Sequence, residues 1–160
     1  MNGNSVVPIP GSFHIPPAEF IFDFTSPELI SFSLDIGSGV LTLTFSETVE
    51  AATFNFSGIT LVNGQVSTVN GELRSNASYR LTDGSWPTFY TTVLQVQLTP
   101  QDLTAINAMD NLATSTNDTY ITADPGSIYD TFYNSLVPIS LANSLQVSEL
   151  CRSCSTASGK

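Results

Sequence analysis

Residues 40–45, "VLTLTF", alternate apolar and polar positions from Leu41 on, with Leu41, Leu43 and Phe45 on one face and Val40, Thr42 and Thr44 on the other. A period of two is the pattern of a half-buried strand. It recurs along the chain. "LISFSL" sets Ile30, Phe32 and Leu34 on one face, and the turn sequence "DIGSG" separates it from "VLTLTF". "GITLV" offers Ile59 and Leu61, and "SYRLT" offers Tyr79 and Leu81. "TTVLQVQL" buries Leu94, Val96 and Leu98 and turns Val93, Gln95 and Gln97 outward. "TYITA" follows, and "LVPISLANSLQVSEL" predicts a broken final strand interrupted at Pro138.

One segment changes period. "TPQDLTAINAM" places Thr99 as N-cap, Pro100 at the first helical position and Asp102 at the third. Leu103, Ile106 and Met109 then recur at helical spacing. About seven short strands and one short cross-over helix predict an all-β chain folded as an immunoglobulin-like β-sandwich. The Cys…Trp…Cys signature of antibody domains is absent, and Trp86, the only Trp, lies in a loop. The expected organisation is an extended leader over 1–23, the sandwich over 24–150 and a Cys-containing tail over 151–160. The stretch 1–18 carries four Pro and no periodicity.

Composition adds where such a domain would work. The 160 residues suit a single domain with a sizeable core. Charged residues make up 11%, far under the globular norm of about 25%. Ser, Thr and Asn take their place on the surface. Four Lys and Arg against fourteen acids give a net charge of −10. Phosphate backbones and anionic bilayers are held by Lys and Arg, so neither is an expected partner. No run approaches the roughly 18 apolar residues of a membrane span, and the N-terminus has neither the basic nor the apolar region of a signal peptide. Sequons at Asn55 (NFS), Asn76 (NAS) and Asn117 (NDT) point to the secretory route and N-glycosylation. A chain rich in Ser, Thr and Asn also acquires sequons by chance.

The stretches "SPELISFSLDIGSGVLTLTFSETVEAATFNFSGITLVN", "YRLT", "TTVLQVQLTPQDLTAINA" and "LATSTNDTYITAD" together resemble one repeat of a bacterial-type Ig-like domain. Such repeats occur in surface-layer proteins and in tandem in very large extracellular proteins. The resemblance runs over roughly residues 24–148, and "LTFSETV" and the "LTPQDLTAI" helix are its most specific parts. It implies a structural module joined to neighbouring repeats by short acidic linkers. "AEFIFDFTSPEL" is similar to such a linker. The family carries a D-x-x-G-N turn late in the domain; "YDTFYN" (Asp130 to Asn134) stands there without the Gly.

Little in the chain suits catalysis. The sole His, His14, lies in the leader, which argues against Ser-His-Asp and Cys-His sites. Glycosidases need two carboxylates about 5–9 Å apart; fourteen acids permit many pairs, and none lies in a recognisable motif. Cys151 and Cys154 form "CRSC" in the tail, without the βα unit of a redox motif or the second pair of a zinc site. Each Cys is expected to join a disulfide, with partners downstream or on a neighbouring molecule. Asp23, Glu28, Glu47 and Asp130 could meet at one end of the sandwich beside the linker, and their hard oxygens suit Ca²⁺. The plainer reading is that Asp23 and Glu28 cap turns and face water. "DGSWPTFYTT" (83–92) gathers Trp86, Phe89 and Tyr90. They either present an interface or sugar platform or fold back over the open edge of the sandwich.

The expected function is therefore a non-enzymatic structural module of a secreted, glycosylated extracellular protein that forms or decorates a fibre, surface layer or cell coat. Its partners would be copies of itself or neighbouring repeats. The alternative is an adhesin-like or carbohydrate-binding module acting through loop 83–92. A weaker one is an accessory domain of a secreted hydrolase.

Overall fold

The computed structural model describes residues 21–152. β1 (Leu29–Asp35) and β2 (Val40–Glu50) form an antiparallel hairpin. β3 (Ile59–Val62) starts a second sheet, and β4 (Val66–Val69) and β5 (Glu72–Ser75) make a separate ribbon. β6 (Ser78–Arg80) pairs with β3. β7 (Gly84–Ser85) and β8 (Tyr90–Leu98) return to the first sheet. After α1 (Pro100–Asn107) come β9 (Tyr120–Ala123), β10 (Tyr129–Asp130), β11 (Leu145–Gln146) and β12 (Glu149–Cys151). The first sheet runs β12-β1-β2-β8-β7, with β10 also on β2; the second runs β11-β9-β3-β6.

Alternation builds the core. Phe32, Leu34, Leu41, Leu43, Leu94 and Val96 from the first sheet meet Ile59, Leu61, Ile121 and Ala123 from the second in one buried cluster. Each of the Phe, Leu, Ile and Val side chains contributes about 1.5–3 kcal/mol on burial. This is an all-β sandwich, as the periodicity predicts. α1 also forms as predicted: Thr99 Oγ1 accepts from the Asp102 N–H at 3.0 Å, and Ile106 is buried.

Three local expectations change. Ile30 is 54% exposed, because a register shift between Leu29 and Ser31 puts Leu29 inward instead. The final strand breaks more widely than at Pro138, into an Ile139–Ala123 bridge, a 3₁₀ turn at Leu141–Asn143, β11 and β12. The β4–β5 ribbon is not in the expected set. Its turn is Asn70-Gly71, with φ 53° and 83°, the dipeptide that best closes a two-residue hairpin loop.

The open flank of β8 is blunted from within. Thr91 Oγ1 accepts from the Val93 N–H and donates to the Val93 carbonyl, so these groups are already satisfied.

Strand polarity sets the path of the chain. β12 lies parallel to β1, with Ser33, Leu34 and Asp35 opposite Glu149, Leu150 and Cys151. The first and last strands point the same way. The described chain thus comes in at one pole, here the lower, beside Leu29, and leaves at the upper pole, beside Asp35.

Candidate cation site at the lower pole

Asp130 organises this pole. It is 1% exposed, and its Oδ1 accepts from the Phe132 N–H at 2.8 Å and the Asn134 N–H at 2.7 Å. Its Oδ2 accepts from Asn134 Nδ2 at 2.8 Å. The turn closes without a Gly because Tyr133 takes φ 65°, the left-handed region. A non-Gly residue pays there for its Cβ. Tyr133 is 74% exposed, so its ring recovers little by burial. Tyr133→Gly is expected to raise unfolding stability by about 0.5–1 kcal/mol, net of the freedom Gly adds to the unfolded chain. Chemical denaturation reads this directly; a loss of stability would contradict it.

The same turn holds the incoming chain. Asn134 Nδ2 also donates to the Asp23 carbonyl at 3.1 Å, and the Val137 N–H to the Pro27 carbonyl at 2.9 Å. Glu47 sits in the irregular stretch of β2 between Thr44 and Val49. One carboxylate oxygen each from Asp23, Glu47 and Asp130 lie within 4.8 Å of one another. Burial, then the charges of Asp23 and Asp130, push the Glu47 carboxyl above its ordinary value. These three residues could hold a hard divalent cation, which would relieve that repulsion. Glu28, the fourth residue expected here, is not in the cluster. It is exposed, and its backbone exchanges hydrogen bonds with Ser46. Asp23 also caps a turn, accepting from the Thr25 N–H at 2.9 Å.

The aromatic loop divides. Trp86 folds back over the sandwich edge, edge-to-face on Phe56 at 5.2 Å and Phe54 at 6.2 Å between ring centroids. Its Nε1 is buried with no hydrogen-bond partner among the described residues. Phe89 and Tyr90 are exposed.

Asn55, Asn76 and Asn117 are all exposed. Asn55 Oδ1 accepts from the Ser57 N–H and hydroxyl. Thr119, the third residue of the Asn117 sequon, is fully buried, so its hydroxyl is accessible only before folding. Cys151 is disulfide-bonded. Cys154, His14 and the leader up to residue 20 lie outside the described residues. No helix among the described residues is long and apolar enough to cross a membrane.

One buried acid did not stand out in the sequence except as a helix residue. Asp102, in the first turn of α1, is fully buried and accepts from the Tyr79 hydroxyl at 2.8 Å, the Thr82 hydroxyl at 2.6 Å and the Thr82 N–H at 3.2 Å. Burial pushes its carboxyl up, but the donors Thr82 and Tyr79, with the Thr82 and Asp83 N–H groups, hold it below the ordinary value. Tyr79 is pushed up to about 12, by burial and then by its bond to Asp102.

Comparison of the chain with family models, with curated proteins and with solved structures finds no match.

Proposed function

We propose that this chain is a non-enzymatic, immunoglobulin-like structural module of a secreted, glycosylated extracellular protein, working as a mechanical link in a fibre, surface layer or cell coat. The observation that carries this reading is the parallel pairing of β1 and β12. Tension applied where the chain comes in and where it leaves pulls these adjacent strands in opposite directions along their length. Their hydrogen bonds, including Ile36 N–H to the Cys151 carbonyl at 2.7 Å and Ser148 N–H to the Phe32 carbonyl at 2.8 Å, are then loaded in shear, all at once. Three exposed sequons and a surface poor in charge support an extracellular setting.

Single-molecule pulling tests it. Force across the two chain ends is expected to unfold the domain at a markedly higher load than force between Gly71, at the ribbon tip, and the C-terminal end. Equal loads would remove the mechanical argument.

Calcium at the lower pole would stiffen the approach of the linker, since Asp23 belongs to the incoming chain while Glu47 and Asp130 belong to the sandwich. With an affinity of about 10⁻⁴–10⁻³ M, typical of extracellular sites, 10 mM Ca²⁺ is expected to add about 1–3 kcal/mol. Glu47→Gln should remove most of that gain. A thermal midpoint indifferent to Ca²⁺ would dismiss the ion.

A further inference from the structure

The described residues include two Asn-Gly dipeptides, Asn63-Gly64 and Asn70-Gly71, and the fold treats them oppositely. Asn is a thermolabile residue, and a following Gly exposes it most, because without a Cβ the next backbone nitrogen can approach the side-chain carbonyl carbon. Asn63 is protected. It is 1% exposed, and its Oδ1 accepts from the Gln65 N–H at 3.2 Å and the Ser75 hydroxyl at 2.9 Å. Its own N–H donates to the Ala77 carbonyl at 3.1 Å. Gly64 lies against the Tyr120 ring so closely that a Cβ would collide with it. Asn70 has none of these restraints. It is exposed, and no described residue hydrogen-bonds its side chain. Among the described residues no atom lies within 4 Å of the place a Cβ would take at Gly71. Asn70 sits at φ 53° in the turn, so attack by the Gly71 nitrogen requires the turn to open. β4 and β5 pair only with each other, and all their residues but Ser75 are exposed. Opening is therefore local and costs little.

We propose that Asn70 is a site of spontaneous modification, its amide converting to aspartate and isoaspartate as the folded protein ages, while Asn63 stays intact. The Gly71 nitrogen bonds to Asn70 Cγ, its proton goes to the side-chain amide, and that amide leaves as ammonia. Water then adds to either carbonyl of the cyclic imide and opens it to aspartate or isoaspartate. Water is consumed and ammonia released; nothing is oxidised or reduced. Isoaspartate routes the chain through the side-chain carbon and so lengthens the backbone of a turn that sets Val69 opposite Glu72. It also adds a negative charge beside Glu72 in a chain already at −10. The ribbon then unpairs while the two larger sheets persist. The inference needs only an exposed ribbon and water, so it stands apart from the mechanical reading.

Incubating the folded full chain in mildly alkaline buffer at physiological temperature, with peptide mass mapping over time, tests this. Amide loss at Asn70 is expected to run more than about tenfold ahead of loss at Asn63, a ratio set by the difference in local opening free energy. Both aspartate and isoaspartate peptides should appear. In denaturant, where neither site is folded, the two rates should converge. Trypsin should cut aged protein after Arg74, in β5, faster than fresh protein. Equal amide loss at Asn63 and Asn70 in the folded chain would overturn the inference. So would an Asn70 that survives for as long as the denatured chain takes to convert. Equal cutting of aged and fresh protein would overturn the consequence drawn for the ribbon.

Discussion

Asp102→Ala is expected to destabilise the domain more than almost any other polar substitution. The carboxylate is fully buried and ties two segments far apart in sequence: α1, on which Asp102 sits, and the stretch Tyr79–Thr82 leading off β6. Removing it leaves the Thr82 N–H and hydroxyl and the Tyr79 hydroxyl without their acceptor. Breaking a buried charged network costs about 3–5 kcal/mol, and the lower end applies because every lost partner is neutral. The thermal midpoint should fall by roughly 6–12 °C in a domain of this size. The pH dependence has a definite sign. Asp102 titrates lower in the folded state than in the unfolded chain. Its contribution is present above the ordinary carboxylate range and is lost as pH falls through the lower folded value. Asp118 acts in the same direction: burial raises it, and Thr114, Ser115 and Thr119 donors bring it net lower. Glu47 acts oppositely: its folded value is raised, so protonation as pH falls through that value favours the folded state. Acid unfolding of Asp102→Ala should accordingly be less steep than that of the parent, and an identical acid profile would show that Asp102 is not the anchor.

Gly84→Ala carries the second large effect. A Cβ at Gly84 would overlap the Gln97 carbonyl of β8 and the ring of Phe56. The first is backbone in a paired strand, with Gly84 opposite Leu98, and the second is buried and packed edge-to-face on Phe54 and Trp86. Neither can yield cheaply, so β7 must separate from β8, costing about 2–3 kcal/mol. Trp86 reports the event, because its indole packs edge-to-face on those rings. Its fluorescence should shift to the red in the folded variant. Unchanged emission and stability would mean that β7 is not needed to close that edge.

Much of the fold was written in period-two alternation. Residues 40–45 of β2 and 93–98 of β8 match their sequence pattern residue for residue, because their mutual pairing fixes the register there. Ile30 departs because a register shift depends on the partner strand, which local alternation does not encode. The β4–β5 ribbon had a signal in Asn70-Gly71, but its strands are almost wholly exposed and so lack an apolar face to read. At the lower pole, residue type flagged the acids Asp23, Glu47 and Asp130, since hard oxygens are legible in any sequence. That Glu28 turns away, and that Asn134 clamps the Asp23 carbonyl 111 residues earlier in the chain, are consequences of tertiary packing. Tyr133 was marked only by the missing Gly; its positive φ follows from the bonds that Asp130 makes across the turn.

The most direct measurement of the account is electron microscopy of the protein from its native source, without refolding. A module that takes chain in at one pole and passes it out at the other should appear in polar fibres or ordered layers, with strands near the fibre axis. Dispersed single particles, with no axial repeat at any concentration, would contradict it.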